Sequence, residues 1–414
     1  MEQHGISKLD LKRQNRMHVL KILKQRGPTS RIDIAGALEL TRAAVTIITN
    51  EMIEQGIIVE LGEYKHVAEK TPRGRKKILI DINHNFKFTV GITVEDGLVS
   101  VGLATLAGAA LDKRNLTISD DSTIEEIMSF IKKSVRDILN DNCIEHSQLL
   151  GVGLGIYPGM YSKVGVAVEN GVPDYTNIRN IFKQATDLPV VIDNSVKGLA
   201  MANIDFTKVK DSKRQNIAFL QYGNSMHFVV TNLNDPIVSY DNRTDFVDRI
   251  ILNPSSIELH DCGRRGCCKS EISPSALIKK VTAVFSEENT PYLYKVLGGD
   301  STRICLNNIS ESFKKGDKGT VEVIKKALDF TAVLLNNLYF TTNPQKLVLD
   351  NFELAQDPAV SDYFKESVER IAGKTVADKI SLSIIDDKQR FLSGCALAIR
   401  ELFFNKGGFV TRNQ

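Results

Sequence analysis

Long apolar runs are missing from this sequence of 414 residues. No stretch approaches the roughly 18 consecutive apolar residues that a membrane-spanning helix needs. Residues 1–5 do not open a signal peptide, because they contain neither a basic start nor an apolar run. We therefore expect a cytoplasmic protein that has no membrane partner.

Cysteine is also scarce, with six in the whole chain. Three of the six, Cys262, Cys267 and Cys268, lie close together, and this spacing is more typical of a metal site than of a disulfide framework. The sequence has no internal repeat and no low-complexity tract, which excludes repeat architectures and a largely disordered chain. It contains no hydrolase nucleophile motif and no Ser-His-Asp arrangement.

Length and charge indicate more than one domain. A chain of this length predicts two or three domains of about 100 to 200 residues each, and 42% hydrophobic residues is enough to build buried cores. Residues 1–80 hold 15 Lys and Arg against 9 Asp and Glu, a net charge of +6 in a chain whose total is +3. A basic module on a mildly acidic body is typical of a DNA-binding domain attached to a separate domain.

The basic module predicts three helices in succession. Residues 10–25 carry an apolar stripe at helical spacing. Ser30 suits the N-terminal cap of a second helix and Thr41 that of a third, because their hydroxyl oxygens accept hydrogen bonds from free backbone amides. Followed by two strands, this order predicts a winged helix-turn-helix.

The third helix is the candidate for the DNA major groove. Val45, Ile48 and Met52 lie at spacings of three and four and face the core, so the opposite face points outward. The outward residues suited to DNA are Arg42, Ala43, Thr46 and Asn50. Arginine binds phosphate or guanine, threonine binds phosphate or touches the thymine methyl group, and asparagine pairs with adenine, while alanine permits close approach.

A basic hexamer, Pro72-Arg73-Gly74-Arg75-Lys76-Lys77, lies between two predicted strands at residues 57–61 and 77–82. The two strands and this tip predict a wing. The Arg-Gly-Arg core resembles an AT-hook, in which glycine lets the backbone lie deep in the minor groove while arginines bind its negative potential. We therefore predict DNA contacts from Arg73, Gly74, Arg75, Lys76 and Lys77. The alternatives are a winged helix that contacts proteins and a charge run that is merely solvated.

Strands and helices alternate from residue 84 onward. Buried strands are predicted at residues 88–93, 98–104, 110–116 and 149–156, with a helix at 122–140. A second set begins near residue 190, and a helix at 389–404 closes the chain. This pattern predicts two α/β lobes.

Several motifs, taken in order, resemble the ROK family, which groups sugar-responsive repressors and sugar kinases of bacteria. They are Asn15-Arg16, Ser30-Arg31, residues 151–159 (GVGLGIYPG), residues 188–194 (LPVVIDN) and residues 262–267 (CGRRGC). The resemblance implies a two-lobed fold of the actin-like ATPase and sugar kinase type behind an N-terminal winged helix-turn-helix. It implies a DNA-binding domain at residues 1–83, a first lobe at 84–195 completed by 389–404, and a second lobe at 196–388 with a Cys-rich loop at 260–268.

The residues that act in catalysis in the family's kinases are altered in this chain. Where those kinases carry Asn-Asp, with the Asp as general base, this chain has Asn194-Ser195, and serine cannot act as that base near neutral pH. The family's two phosphate turns correspond to residues 93–97 and 223–227, which do not keep the glycine pattern that lets a backbone cradle phosphate. We therefore expect no ATP and no kinase activity.

Sugar recognition is altered as well. The family's Glu-x-x-His motif corresponds to Phe246-Val247-Asp248-Arg249, and the acidic residue after its last cysteine corresponds to Lys269. The resemblance therefore implies an effector cleft with Asp193, Asn194, Ser195, Arg249 and Lys269. Its cations favour a sugar phosphate or sugar acid over a neutral sugar. The alternative is a cleft that is now only structural.

The family's metal site of one histidine and three cysteines is changed too. His260 stands in place of the first cysteine, and Arg249 in place of the distant histidine. His260, Cys262 and Cys267 remain as ligands for Zn(II), which accepts imidazole and thiolate in a tetrahedral array. Cys268, an acidic side chain or solvent would be the fourth ligand. The alternative is a reduced cysteine loop without metal.

Taken together, these features predict a DNA-binding transcriptional regulator, a repressor of carbohydrate-related genes whose ROK domain is not catalytic. We expect a homodimer or higher homo-oligomer on a double-stranded operator, because helix-turn-helix dimers bind paired half-sites. Two alternatives remain: a ligand-independent regulator controlled by a protein partner, and an active ROK sugar kinase.

Overall fold

The computed structural model describes residues 8–63, 77–119, 121–207, 216–232, 244–257, 259–352 and 357–409. They divide into two units: the described residues up to 214 with those from 385 onward, and residues 215–384. The sequence-based lobe boundary at residue 195 differs from this one, because the helix after Asn194 packs within the first unit. None of the helices in the described ranges is long and apolar enough to cross a membrane.

The first unit begins with a winged-helix domain. Its helices are α1 (Lys8–Arg26), α2 (Arg31–Leu38) and α3 (Arg42–Glu54), and its strands are β1 (Thr29–Ser30), β2 (Ile58–Glu63) and β3 (Ile78–Ile82). The strands form an antiparallel sheet with β3 in the centre. Both predicted caps are confirmed, since Ser30 Oγ accepts from the Asp33 amide at 3.3 Å and Thr41 Oγ1 accepts from the Ala44 amide at 3.2 Å.

The rest of the first unit is built on a five-stranded sheet in the order β10-β7-β4-β5-β6. Its strands are β4 (Phe88–Glu95), β5 (Leu98–Thr105), β6 (Ala110–Thr117), β7 (Leu149–Ile156) and β10 (Val190–Asn194), and β8 (Ala167–Glu169) and β9 (Val172–Asp174) form a small hairpin. Three helices accompany them: α4 (Ile124–Asp141), α5 (Thr176–Thr186) and α6 (Ser195–Asp205). Because β4, β7 and β10 run parallel, their carboxyl ends meet at one edge of the sheet.

The second unit contains a four-stranded sheet in the order β12-β11-β13-β14. Its strands are β11 (Asn216–Gln221), β12 (His227–Asn232), β13 (Lys346–Asp350) and β14 (Ile380–Leu382). Its helices are α7 (Cys268–Ile272), α8 (Pro274–Val284), α9 (Pro291–Leu297), α10 (Leu306–Lys314), α11 (Lys318–Thr342), α12 (Pro358–Ala372) and α13 (Lys374–Ala377). A single apolar core forms where α11 and α12 pack on this sheet.

The closing helix α14 (Leu392–Ala398) continues as a π-helical segment, Ile399–Phe404, and returns to the first unit. It packs against α6, β4 and β7. A Cβ atom added to Gly153 of β7 would lie 1.8 Å from the carbonyl oxygen of Gly394. Glycine is therefore required at this crossing, because no other residue permits such a close backbone approach.

Candidate nucleic-acid interface, effector residues and metal centre

The outward face of α3 carries the residues predicted for the major groove. Arg42, Ala43, Thr46 and Asn50 are all exposed. Val45 and Met52, on the opposite face, are fully buried. Thr46 Oγ1 donates to the Arg42 carbonyl at 2.7 Å, which fixes its rotamer. Ile47 is 63% exposed on the same outward face, so this face combines polar groups with one large apolar side chain.

Asn50 is held by an arginine that the sequence analysis did not assign to the interface. Its Oδ1 accepts a hydrogen bond from Arg31 Nη2 at 3.1 Å. Arg31 Nε also donates to Thr49 Oγ1 at 3.0 Å, and its Nη2 lies 2.7 Å from Glu60 Oε1. These contacts join residues that are 18 to 29 positions apart. No local spacing in the sequence indicates them.

Only one of the predicted wing residues, Lys77, lies within the described part of the chain. Arg73, Gly74, Arg75 and Lys76 lie outside it. Lys77 Nζ is 2.9 Å from Asp33 Oδ1 in the first turn of α2. Hydrogen bonds from Ser30 and Lys77 lower the pKa of Asp33. Asp33 therefore stays ionised and pairs with the Lys77 charge.

Three of the predicted effector residues lie where β10 ends and α6 begins. Asn194 caps α6, since its Oδ1 accepts from the Val196 amide at 2.8 Å. Asp193 Oδ1 accepts from the Asn194 amide at 2.7 Å and lies 3.4 Å from Lys197 Nζ. Asn194 is 1% exposed and Ser195 is 0% exposed. Asp193 and Lys197 thus form a charged pair at the end of β10, and the sequence analysis missed the lysine.

The other two predicted effector residues belong to the second unit. Arg249 ends the short 3-10 helix Asp245–Arg249 and is exposed, and Lys269 lies half-buried in α7. The five residues that the family resemblance grouped are therefore divided between the two units.

Residues 223–227, which correspond to a phosphate turn of the family's kinases, are bound by a carboxylate of the protein itself. Asp248 Oδ1 accepts from the Met226 amide at 2.7 Å, and its Oδ2 accepts from Ser225 Oγ at 2.6 Å. Burial raises the pKa of Asp248, although these two hydrogen bonds and Lys269 oppose the rise. The Met226 amide and the Ser225 hydroxyl of this turn are therefore already bound to a carboxylate of the protein.

His227 closes the same turn and is neutral. It is 2% exposed, its Nδ1 lies 2.7 Å from Thr244 Oγ1, and burial lowers its pKa to about 4. An imidazole with this pKa carries no charge near pH 7. It therefore adds no cation that would attract a phosphate group.

His260, Cys262 and Cys267 form one cluster whose donor atoms all lie within 4.8 Å of one another. Cys262 Sγ is 3.7 Å from Cys267 Sγ. A tight turn brings them together: Gly266 has a φ of +62°, and a Cβ there would lie 1.7 Å from the Asn253 carbonyl oxygen. Burial raises the pKa of Cys262, but hydrogen bonds, first from His260, outweigh it and bring the pKa to about 7. One imidazole and two thiols in this geometry suit Zn(II).

The side chain of Cys268, which was predicted as a fourth ligand, points away from the cluster of His260, Cys262 and Cys267. It opens α7 with its side chain fully buried, and its Sγ lies 3.3 Å from Met226 Sδ. Burial raises its pKa well above the ordinary value of 9.0, which opposes the thiolate form that binds metal. The acidic alternative Glu271 is also engaged, since its Oε2 lies 2.7 Å from Lys280 Nζ. The cluster therefore offers three protein ligands.

A winged helix-turn-helix attached to a two-lobed α/β body defines the class of protein: a DNA-binding head on a sugar-kinase-type scaffold. Comparison with known proteins agrees with both parts. The model of the ROK family matches residues 250–394, and that of the MarR family, whose fold is a helix-turn-helix, matches residues 13–59. The chain therefore contains a ROK-type segment, residues 250–394, and a MarR-type helix-turn-helix at residues 13–59.

The relatives and solved structures that it resembles cover between 74% and 96% of the chain. It is 23% identical to the xylose repressor of Caldicellulosiruptor bescii over 82% of this chain and 84% of that protein. It is 22% identical to the regulator NagC of Escherichia coli over 84% of this chain and 82% of that protein. A crystal structure of a ROK family transcriptional regulator, a homologue of the E. coli MLC protein, matches 96% of this chain and 97% of its own with a TM-score of 0.68 and 18% identity. The glucokinase of Streptomyces griseus matches 74% of this chain and 97% of its own, with a TM-score of 0.55 and 17% identity.

Proposed function

We propose that this protein is a transcriptional repressor that binds double-stranded DNA through α3 and the wing and controls carbohydrate-related genes. The observation that carries the proposal is the exposed face of α3, where Arg42, Thr46 and Asn50 project from a helix whose other face is buried. All three side chains are of types that read base edges in the major groove. The relatives named as xylose and N-acetylglucosamine repressors support the same function.

The ROK body acts as an effector and dimerisation domain. Its effector is a sugar, a sugar phosphate or a sugar acid, and a homodimer places two copies of α3 on paired half-sites. Lys197 beside Asp193 supports an anionic effector, because it adds a buried cation to the edge where the family resemblance places the ligand. Effector binding changes the angle of the DNA-binding heads and hence their affinity for the operator.

Two observations support a non-catalytic body. Ser195 stands where a general base would be needed, and a serine hydroxyl cannot accept a proton at neutral pH. Asp248 accepts hydrogen bonds from the Ser225 hydroxyl and the Met226 amide, so a phosphate group at this turn would meet a negative charge. ATP would have to displace the Asp248 carboxylate, which repels its phosphate groups.

The proposal is tested by selection from random DNA with the purified full-length protein, repeated with a panel of sugars, sugar phosphates and sugar acids. We expect one enriched motif with two half-sites about one helical turn apart, and weaker binding with at least one member of the panel. DNA binding that no panel member changes would favour control by a protein partner. ATP-dependent phosphorylation of a panel sugar that Ser195→Ala abolishes would favour the kinase alternative.

Zn(II) is bound, in this proposal, by His260, Cys262 and Cys267, with solvent as the fourth ligand. Their convergence within 4.8 Å and the lowered pKa of Cys262 support this assignment. The ion would stabilise the loop between β12 and α8, because a structural zinc site contributes folding free energy directly.

A further inference from the structure

Arg31 ties three elements of the winged-helix domain together. It is the first residue of α2, and its guanidinium reaches Thr49 at 3.0 Å and Asn50 at 3.1 Å, both on α3. The same group lies 2.7 Å from Glu60 on β2. Asn50 is exposed on the outward face of α3. Arg31 therefore orients a side chain that faces DNA in the proposed function.

Hydrogen-bond chemistry determines which atom of Asn50 faces Arg31. A guanidinium group has donors and no acceptor, so the Asn50 atom beside it is the carbonyl oxygen. Thr49 supports the arrangement, because its hydroxyl donates to the Val45 carbonyl at 2.8 Å and leaves a lone pair for Arg31. Thr49 is fully buried, so this anchor point is held by the core. The amide nitrogen of Asn50 is thus the atom turned away from Arg31.

We propose that Arg31 sets the base preference of Asn50, an inference that rests on the proposed function. An unrestrained asparagine pairs with adenine through both amide atoms, donating to N7 and accepting from the N6 amino group. With its oxygen held by Arg31, Asn50 acts as a donor. It therefore prefers the bases that present an acceptor in the major groove, which are guanine, thymine and, through N7, adenine, and it discriminates against cytosine, which presents only a donor.

Glu60 distinguishes this positioning role from a phosphate contact. An arginine that binds phosphate directs its charge at the DNA backbone. The Arg31 side chain is only 19% exposed, and the carboxylate of Glu60 neutralises its charge. Arg31 therefore acts through Asn50, and the base preference is where its effect is measured.

The test is a random-DNA selection with the full-length wild type and four variants. Asn50→Ala abolishes the preference at one position of each half-site, which identifies the base that Asn50 contacts. Arg31→Ala and Arg31→Lys weaken the discrimination against cytosine at that position by about tenfold, the order of discrimination of one well-oriented base contact, because the released amide oxygen can then accept from the cytosine amino group. Glu60→Gln is the matched control, because it keeps the bond between Arg31 and Asn50 and therefore retains the wild-type preference.

Salt dependence separates positioning from charge. Arg31→Lys keeps the positive charge, so its dependence of affinity on salt matches the wild type while its base preference shifts. Arg31→Lys also carries the test if Arg31→Ala does not fold, as judged by circular dichroism. An unchanged base preference in the folded Arg31 variants, or in Asn50→Ala, overturns the inference and leaves the proposed function intact. A wild-type protein that selects no sequence overturns both.

Discussion

Lys24 of α1 lies 2.8 Å from Asp205, the last residue of α6. Arg400 binds the same carboxylate from the closing helical segment, with its Nε at 2.7 Å and its Nη2 at 2.9 Å. The three side chains are at most 11% exposed. This buried cluster joins the winged-helix domain to the rest of the first unit. Because α6 begins directly after Asn194, one buried helix about 16 Å long connects the candidate effector edge with α1.

Arg16 reinforces the same junction. It is fully buried, donates to the Gly407 carbonyl at 2.9 Å and to Gln55 Oε1 at 2.7 Å, and lies 3.9 Å from the centre of the Phe409 ring. Gln55 caps the C-terminal end of α3, so this arginine links α1, α3 and the C-terminal segment. Packed and charged contacts therefore connect α6 with α3 by way of α1 and the C-terminal segment.

Replacing Asp205 with asparagine is expected to destabilise the first unit. Asp205→Asn leaves the Lys24 and Arg400 cations buried without a counter-charge, and breaking a buried ion pair in this way costs about 3–5 kcal/mol. Urea unfolding measures the change in the free energy of unfolding. Asp362→Asn is the matched control, because Asp362 is 74% exposed, its pair with Lys365 spans 3.8 Å, and such a pair contributes about 0–1 kcal/mol. Equal effects of the two variants would contradict the role of the cluster.

Low pH is expected to destabilise the buried cluster of Lys24, Asp205 and Arg400. Burial raises the pKa of Asp205, but Arg400 and Lys24 outweigh it and hold the pKa below the ordinary 3.8. A carboxylate with a lowered pKa in the folded state contributes stability above its unfolded pKa and loses it as the pH falls through the folded value. The wild type should therefore lose stability below about pH 4 more steeply than Asp205→Asn. Thermal unfolding from pH 7 to pH 3 measures this, and parallel curves would exclude Asp205 as the titrating group.

Local patterns in the sequence predicted the elements well because their causes are local. The caps Ser30 and Thr41 act on amides three residues away, and the strand at residues 149–156 is identified by its apolar run. Long-range contacts explain what was missed. Arg400 meets Asp205 across 195 residues, and Arg31 meets Glu60 across 29, so no spacing indicates either pair.

Neighbouring residues can also point in different directions, which limited the prediction of the metal site. Cys267 and Cys268 are adjacent in the sequence and equivalent by residue type. The structure turns Cys267 toward Cys262 and buries Cys268 against Met226, because the helix that starts at Cys268 faces the core. A pattern of ligand types therefore found three members of the cluster and included a fourth residue that packs in the apolar core.

Removing the arginines of the predicted wing is expected to reduce the salt dependence of DNA binding. Each phosphate contact contributes about 0.9 to the slope of log affinity against log salt, so Arg73→Ala combined with Arg75→Ala should lower that slope by about 2. Fluorescence anisotropy with the selected operator at several salt concentrations measures it. Lys365→Ala is the control, because it removes an exposed cation from the second unit. An unchanged slope in the double variant would exclude contact between these two arginines and the DNA backbone.

The cysteine variants should separate the metal cluster from the apolar core. Cys262→Ser removes a thiol with a pKa of about 7 and should reduce zinc content to below half of the wild-type value after dialysis, because two ligands hold the ion weakly. Cys268→Ala should retain the wild-type zinc content, because Sγ of Cys268 contacts Met226 and lies outside the cluster. It should instead lower the free energy of unfolding by about 1 kcal/mol through the small cavity that it leaves.

Elemental analysis of both variants, prepared with zinc in the medium, decides between these roles. Loss of zinc in Cys268→Ala would place that thiol among the ligands, and equal zinc content in Cys262→Ser and wild type would show that the cluster is a reduced cysteine loop.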